Sequence, residues 1–301
     1  MVKVTVLIAA YNEAENIEKC LSSIINQSFN NYKVLLLDDG STDETASIAE
    51  GFLSNTKIDY RVIKSLENVG KISVINRNIS YLNSEYVAIH DADDEMYPDR
   101  LKDQVKYLDD NPTCDILGGQ QCLIFDNGIK KILKPPTEHA QICTRLLTKT
   151  TMLNPTVMFR KTRCLVGGNF LNEEAYLSED FHFFVTCFTR GLRFHNLSKV
   201  VCTYHFNEQK NWQLKHPKMI HSLKNIFRIY LSYRKILFKE VDIETLLLIN
   251  IDKKLSFGGY LRFIFLQLRI FIKNLNHTDF SITSWLFQNF YALKLVFKKN
   301  L

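Results

Sequence analysis

An α/β fold is predicted, built on a mostly parallel sheet with helices on both faces and followed by a mostly helical, basic extension. Three observations predict it. Over the first 115 residues, short β-rich runs alternate with stretches whose apolar residues recur at helical spacing, the alternation that builds parallel sheets through helical crossovers. Of 301 residues, 46% are apolar and 23% charged, enough for a core without staples and too apolar for a disordered chain. The charge also divides. Residues 206–301 hold 16 Lys+Arg and 6 Asp+Glu, a net of +10, whereas residues 1–205 hold 22 and 26, a net of −4. Two regions are therefore expected, 1–205 and 206–301.

The elements follow in order. Val4–Ala10 is apolar and β-branched and reads as a strand. Ile17, Cys20, Leu21, Ile24 and Ile25 then repeat at i, i+3, i+4, i+7 and i+8, one face of a helix. A second strand spans 34–37, and Ser41-Thr42-Asp43-Glu44 supplies N-cap chemistry for a helix over about 43–54. A third strand covers 58–63, a helix 71–82, a fourth strand 86–90, and Pro98 opens a helix over 98–110, where proline suits the first turn. Beyond 115, strands are expected at 116–117, 120–125 and 129–133, the last two joined by the turn signal Asp126-Asn127-Gly128. A helix at 138–148, a strand at 155–160 and a helix at 179–190 closed by Gly191 come next. Leu223, Ile226, Phe227, Tyr230 and Leu231 return to helical spacing.

Composition excludes several classes. The seven cysteines include no C-x-x-C pair, so neither a disulfide framework nor a thiolate zinc site is supported, and a reducing cytoplasm is the expected setting. The N-terminal apolar stretch ends too early, at Tyr11-Asn12-Glu13, for a signal peptide, and no run of 18 uncharged apolar residues is long enough to span a bilayer. The basic excess comes without a helix-turn-helix, RNP or zinc-finger signature, so no nucleic-acid partner is expected.

In open α/β sheets ligands bind beyond the carboxyl ends of the strands. The first strand there carries no G-x-G-x-x-G, and the chain has no G-x-x-x-x-G-K-[ST], which argues against dinucleotide and P-loop sites. Acidic clusters stand in their place: Asp38-Asp39-Gly40-Ser41 after the second strand and Asp91-Ala92-Asp93-Asp94 after the fourth. Like charges so crowded need a compensating cation. A hard divalent ion, Mn²⁺ or Mg²⁺, takes oxygen ligands and completes its shell with substrate phosphates. Taken singly, Asp38, Asp43 and Asp94 also serve as turn formers and caps; the pair Asp91/Asp93 points more strongly to an ion.

With these residues in view, the chain resembles the family 2 glycosyltransferases, an inverting group with the GT-A fold, a Rossmann-like mixed sheet that binds nucleotide sugars. The matching segments are VTVLIAAYNEAENIEKCLSSIINQSF, VLLLDDGSTDET, ENVGKISVINRNI, YVAIHDADDEMYPDRL, NPTVMFRK and SEDFHFFVTCFTRG, in the family's order over about residues 2–205. The resemblance implies that Ala9, Tyr11 and Glu13 hold the nucleobase and that Asp39 accepts the N3–H of uracil, favouring UDP-sugar donors. It implies that Arg77 lies beside the nucleotide, that Asp91 and Asp93 form the D-x-D pair with Asp93 the direct metal ligand, and that Asp180 is the catalytic base. His205, in Thr203-Tyr204-His205-Phe206, departs from the family's Y-R-x-H pattern; it is either a further metal ligand or an ordinary half-buried histidine. His90 reads as a local variation. Two other readings stay open, a sugar-phosphate nucleotidyltransferase and a silent binding domain of the same fold, although the first wants a basic, glycine-rich loop where Tyr11-Asn12-Glu13 stands.

The extension adds a partner question. In residues 259–275, Arg262, Arg269 and Lys273 form a narrow polar stripe, while Phe263, Ile264, Phe265, Leu268, Phe271 and Ile272 cover the rest. Such a helix needs cover, in the core, in a homodimer or at the headgroup boundary of an anionic membrane. The last would place the enzyme peripherally on the inner face of the cell membrane, acting on a glycan or lipid-linked acceptor.

Overall fold

The structure is a computed structural model of the chain and describes residues 2–165, 171–175, 177–206, 217–236, 239–250, 253–274 and 280–297. Two compact units are assembled from interleaved segments. The first comprises Met1–Pro135, Met152–Glu173 and Leu192–Gln209, the second Pro136–Thr151, Glu174–Gly191 and Lys210–Leu301. The charge change near 205 lies close to the last crossing between them, and two earlier segments also join the second unit.

The first unit is the sheet. β1 (Val4–Ala10), β2 (Tyr32–Asp38), β3 (Asp59–Lys64) and β4 (Tyr86–Asp91) run parallel in the order β3-β2-β1-β4. The sheet then turns mixed. β8 (Met158–Arg160) lies antiparallel to both β4 and β6 (Ile116–Phe125), β9 (Phe194–Phe206) is parallel to β6, and β5 (Glu95–Met96) is antiparallel to β9. β7 (Lys130–Leu133) completes a hairpin with β6. Strand alternation divides the burial. Val4, Val6, Ile8 and Ala10 share a core with α1 (Ile17–Ile25), α2 (Thr45–Ser54) and α4 (Arg100–Asp110), and the opposite face packs on α3 (Lys71–Arg77).

Differences from the predicted elements have local causes. The helix expected over 71–82 stops at Arg77, and a short 3-10 turn over Ile79–Tyr81 follows. The strands expected at 116–117 and 120–125 are one strand, irregular where the Gly118-Gly119 pair shifts its register against β9. The strand at 155–160 shortens to β8 because Pro155 sits in a 3-10 turn. α5 (His139–Arg145) is shorter than expected, α6 (Lys161–Cys164) is a single turn, and α7 (Glu179–Thr189) ends where predicted. There Gly191 adopts φ +77 and its N–H reaches the Phe188 carbonyl at 2.9 Å.

The second unit is helical among its described residues, with α5, α7, α8 (Pro217–Tyr233), α9 (Glu240–Asn250), α10 (Phe257–Asn274) and α11 (Ile282–Val296). The Tyr230 hydroxyl of α8 donates to the Cys143 carbonyl at 2.9 Å, and its ring stacks on Phe188 of α7. Carbonyls at and beyond the end of α5 are claimed by side chains: Gln288 Nε2 reaches Thr144 O at 2.9 Å and Asn250 Nδ2 reaches Thr148 O at 2.6 Å. Residues 259–274 accordingly form most of α10, with Phe263 and Ile270 buried; residue 275 of the stretch lies outside the described residues. All seven cysteines are buried thiols outside any disulfide.

Gly40 tolerates no side chain. It sits at φ +70, and a Cβ there would lie 2.4 Å from the Glu67 carbonyl carbon and 2.6 Å from the Asn68 nitrogen. Gly40→Ala is therefore expected to lose more than about 1 kcal/mol of stability. Urea unfolding with a midpoint equal to the parent's would contradict it.

Candidate active site

The site begins with strand register. Ala10 of β1 stands opposite Asp38 of β2, and Ala9 stands opposite Asp91 of β4. Neighbouring strands lie about 4.8 Å apart, so the two acidic segments leave the sheet one strand to either side of the Ala9–Ala10 end. The turn that follows is pinned to the loop after β2. Asn12 adopts φ +55. The N–H groups of Asn12, Glu13 and Ala14 donate in succession to Ser41 Oγ (2.9 Å), Thr45 Oγ1 (2.8 Å) and Asp43 Oδ2 (3.1 Å), and Asn12 Oδ1 accepts the Thr42 N–H at 2.9 Å. The polar residues read as capping groups for α2 serve twice: Asp43 Oδ1 accepts the Thr45 N–H at 3.0 Å at the helix start, while Ser41, Thr45 and Asp43 Oδ2 hold the turn; Glu44, the residue at the cap, makes no side-chain cap bond. Tyr11 is left 45% exposed at the crest. Glu13 accepts from Asn16 Nδ2 at 2.8 Å.

Asp39 is buried and held on both oxygens: Oδ1 accepts the Val69 N–H at 2.9 Å and Oδ2 the Gly70 N–H at 2.8 Å, while its own N–H donates to Ala10 O. Each carboxylate oxygen has a second lone-pair direction, so the group can still accept an imide N–H. Asp38 is fully buried and takes the Ser41 hydroxyl on Oδ1.

The second acidic segment is stabilised from two sides. Lys71, the first residue of α3, places Nζ 2.7 Å from Asp91 Oδ1. Behind the segment, Arg100 is 1% exposed and carries its charge inside the protein. It donates to Ile89 O (2.8 Å), Gln104 Oε1 (3.1 Å) and His90 Nδ1 (3.2 Å). A guanidinium only donates, so His90 Nδ1 is the acceptor and its Nε2–H donates to the Asp94 carbonyl at 3.2 Å. Burial first, and Arg100 second, push the His90 imidazole down to about 3, which keeps it neutral. Asp94, fully buried with the Cys202 thiol donating to Oδ2, is pushed up to about 9 by burial and then by Asp91 and Asp93.

The remaining predicted residues stand as follows. Ala9, Tyr11, Glu13, Asp39 and Asp91 gather at this edge, and half-buried Asp93 follows Asp91 by two residues. Arg77 is exposed at the far end of α3 from Lys71, about 9 Å along the helix axis. His205 Nε2 lies 2.9 Å from Glu95 Oε1, which also binds Lys19 Nζ at 2.8 Å. Asp180 belongs to the second unit, in the first turn of α7, where Oδ1 accepts the Phe181 N–H at 2.6 Å. Leu177, three residues before it, is held at φ +53, unusual for a leucine. Sequence reasoning missed Lys71, Arg100 and the strut formed by His90. Lys71 directly follows the glycine of E-N-V-G-K, whereas nothing in the helical pattern of 98–110 distinguishes Arg100.

Among the described residues, no three His, Cys, Asp or Glu side chains form a ready-made metal cage. The donor set nevertheless suits a hard ion. Mg²⁺-type sites commonly use one or two carboxylates and complete the shell with phosphates. Here the Asp94 Oδ1 atom is buried without a hydrogen-bond partner beside Asp91 and Asp93.

The fold is thus a mixed α/β sheet with two acidic segments flanking the carboxyl end of its central strand. The Glycosyl transferase family 2 model matches residues 5–180, and the chain belongs to that family of glycosyltransferases. An uncharacterized glycosyltransferase of Haemophilus influenzae is 30% identical over 191 residues, 60% of this chain and 58% of that one. Two solved structures share the fold. S. aureus TarS 1-349, in complex with UDP-GlcNAc, matches with TM-score 0.66 at 19% identity, covering 98% of this chain and 89% of that chain. The mannosyltransferase PcManGT from Pyrobaculum calidifontis, in complex with GDP-Man and Mn²⁺, matches with TM-score 0.61 at 17% identity, covering 98% and 86%.

Replacing Arg100 by Met should cost on the order of 3 kcal/mol, because several buried acceptors lose their donor together. The planar guanidinium fork is what reaches them, so Arg100→Lys should recover little of that loss. Denaturant unfolding of both variants checks this; full rescue by lysine would show that charge alone suffices.

Proposed function

We propose that the chain transfers a sugar from a UDP-sugar to a hydroxyl of a cell-surface glycan or lipid-linked acceptor, with inversion at the sugar carbon. The observation that carries this reading is the register that sets Asp39 and Asp91 on either side of Ala9–Ala10. Residues 1–205 would be the catalytic domain and 206–301 the region that meets acceptor, membrane or a second copy. Asp39 accepts the uracil N3–H, Tyr11 stacks on the base, Ala9 and Glu13 line it, and Arg77 lies beside the nucleotide. The UDP-GlcNAc held by TarS supports a nucleotide-sugar donor.

Transfer forms a bond from the acceptor oxygen to the anomeric carbon as the bond to the diphosphate breaks, its electron pair leaving with UDP. Asp180 takes the proton of the attacking hydroxyl. Its place in the first turn of α7 sets it beside the positive end of the helix dipole, and the bond from Phe181 orients it. A divalent cation held by Asp91 and Asp93, with His205 exchanging its Glu95 contact to join them, would supply Lewis-acid neutralisation of the departing diphosphate; the Mn²⁺ in PcManGT supports that class of ion.

The helical unit supports contact with an anionic membrane. On α10, Phe257, Leu261, Phe265, Leu268 and Ile272 are exposed at helical spacing, and on α11 so are Ile282, Leu286 and Phe290. No helix among the described residues is long and apolar enough to cross a membrane. A lipid surface covers such a face, and anionic headgroups add about 1 kcal/mol per nearby basic residue.

Asp180→Asn should abolish transfer while leaving Mn²⁺-dependent UDP binding within about twofold, whereas Asp93→Ala should remove that binding. Donor and acceptor assays with calorimetry distinguish them, and full transfer by Asp180→Asn would remove the proposed base. For the membrane, sedimentation with phosphatidylglycerol vesicles at low salt should capture the parent and release the double variant Phe265→Glu/Ile272→Glu. Parent protein left in the supernatant would contradict the contact.

A further inference from the structure

A cavity of about 200 Å³ lies within the helical unit, between the end of α5 and α11. That is below the ~300 Å³ at which pockets begin to hold drug-sized ligands, but roomy for a phosphate or diphosphate. Its walls are cationic and aromatic. The Arg145 guanidinium lies over the Phe287 ring at 4.4 Å, and its Nε donates to Ser284 Oγ at 3.3 Å. Lys149 Nζ lies over the Tyr291 ring at 4.7 Å and donates to the Tyr291 hydroxyl at 3.0 Å. The two rings are themselves stacked, 6.4 Å apart, so each cation lies against one ring of the pair. Thr148 and Thr150 add hydroxyl groups to the lining.

We propose that this pocket binds a phosphate or diphosphate group, and, resting on the transferase reading above, that the group belongs to the acceptor. Among the described residues Arg145 has no carboxylate partner, and burial lowers its guanidinium below the usual arginine range. A half-buried cation without a counter-charge is costly unless an anion arrives. Arginine and lysine together suit a tetrahedral, multiply charged anion, the arginine as a directed fork and the lysine as a point charge. The exposed Leu286 and Phe290 lie on the same helix as Phe287 and Tyr291. A lipid phosphate could therefore reach the pocket with its chain on the apolar face, and a soluble phosphorylated glycan would offer the same group without the chain.

The probe is inorganic pyrophosphate, titrated calorimetrically into the full chain in EDTA so that no metal-dependent donor site responds. Binding to the parent should weaken at least tenfold in both Arg145→Gln and Lys149→Gln. Tyr291→Phe, which deletes one oxygen, should weaken it less and serves if either charge variant fails to fold. Displacement by a short-chain isoprenyl phosphate points to a lipid source, and displacement by glycerol 3-phosphate alone points to a soluble one; either supports the pocket. No binding by the parent, or equal binding by parent and folded variants, overturns it. Mn²⁺-dependent UDP binding is measured alongside. Its absence in the parent would sink the transferase reading while leaving the anion pocket standing, and its retention in the pocket variants separates the two sites.

Discussion

The concentration of acidic groups at the end of β4 governs this structure, and the fold is arranged around keeping it tolerable. Three aspartates in four positions would repel one another if all were ionised beside a buried strand end. One of them, Asp94, is buried, and its carboxyl is pushed well above the usual carboxylate range, which favours the neutral form. Asp91 is relieved by Lys71 from the solvent side. Arg100 acts from within, linked by neutral His90 to the backbone of the acidic turn. A buried arginine is expensive to desolvate, so its presence behind this strand is intelligible mainly as a counterweight to the charge in front.

Sheet topology explains why that cluster meets a second one. In a parallel sheet all strands end on the same edge, and a central strand has neighbours on both sides. β1 is central, so whatever follows β2 and β4 must flank it. Asp39 is then held by two backbone N–H groups from the segment leading into α3. Lys71, at the start of that same helix, completes the link to Asp91. One short segment, 69–71, thus touches both acidic groups.

Much of this was legible beforehand, and the limits have physical causes. The first four strands and α1 could be read because buried parallel strands and one-sided helices leave strong periodic patterns. The acidic pairs could be read because they follow those strands directly. Arg100 could not, since a helix with polar and apolar residues at the right spacing does not announce that one polar residue faces inward. β5 is too short for any pattern, and α9 carries the contiguous run Leu246–Ile249, which fits strand or helix equally. The loop residues Ser41 and Asp43 read as part of the nearest helix start, and Asp43 does bond Thr45 there, but each also takes an amide about 30 positions earlier in the chain, which no local pattern announces.

That last arrangement has a practical corollary. Three consecutive amides of the first turn are fastened by side chains of the segment after β2, so the two loops form a single rigid piece. A chimera that imports one loop from a relative with a different donor preference would leave amides dangling and lose the fold of both. Transplanting residues 11–14 together with 38–45 keeps the fastening intact, which makes that pair the smallest exchangeable unit for re-engineering this end of the sheet.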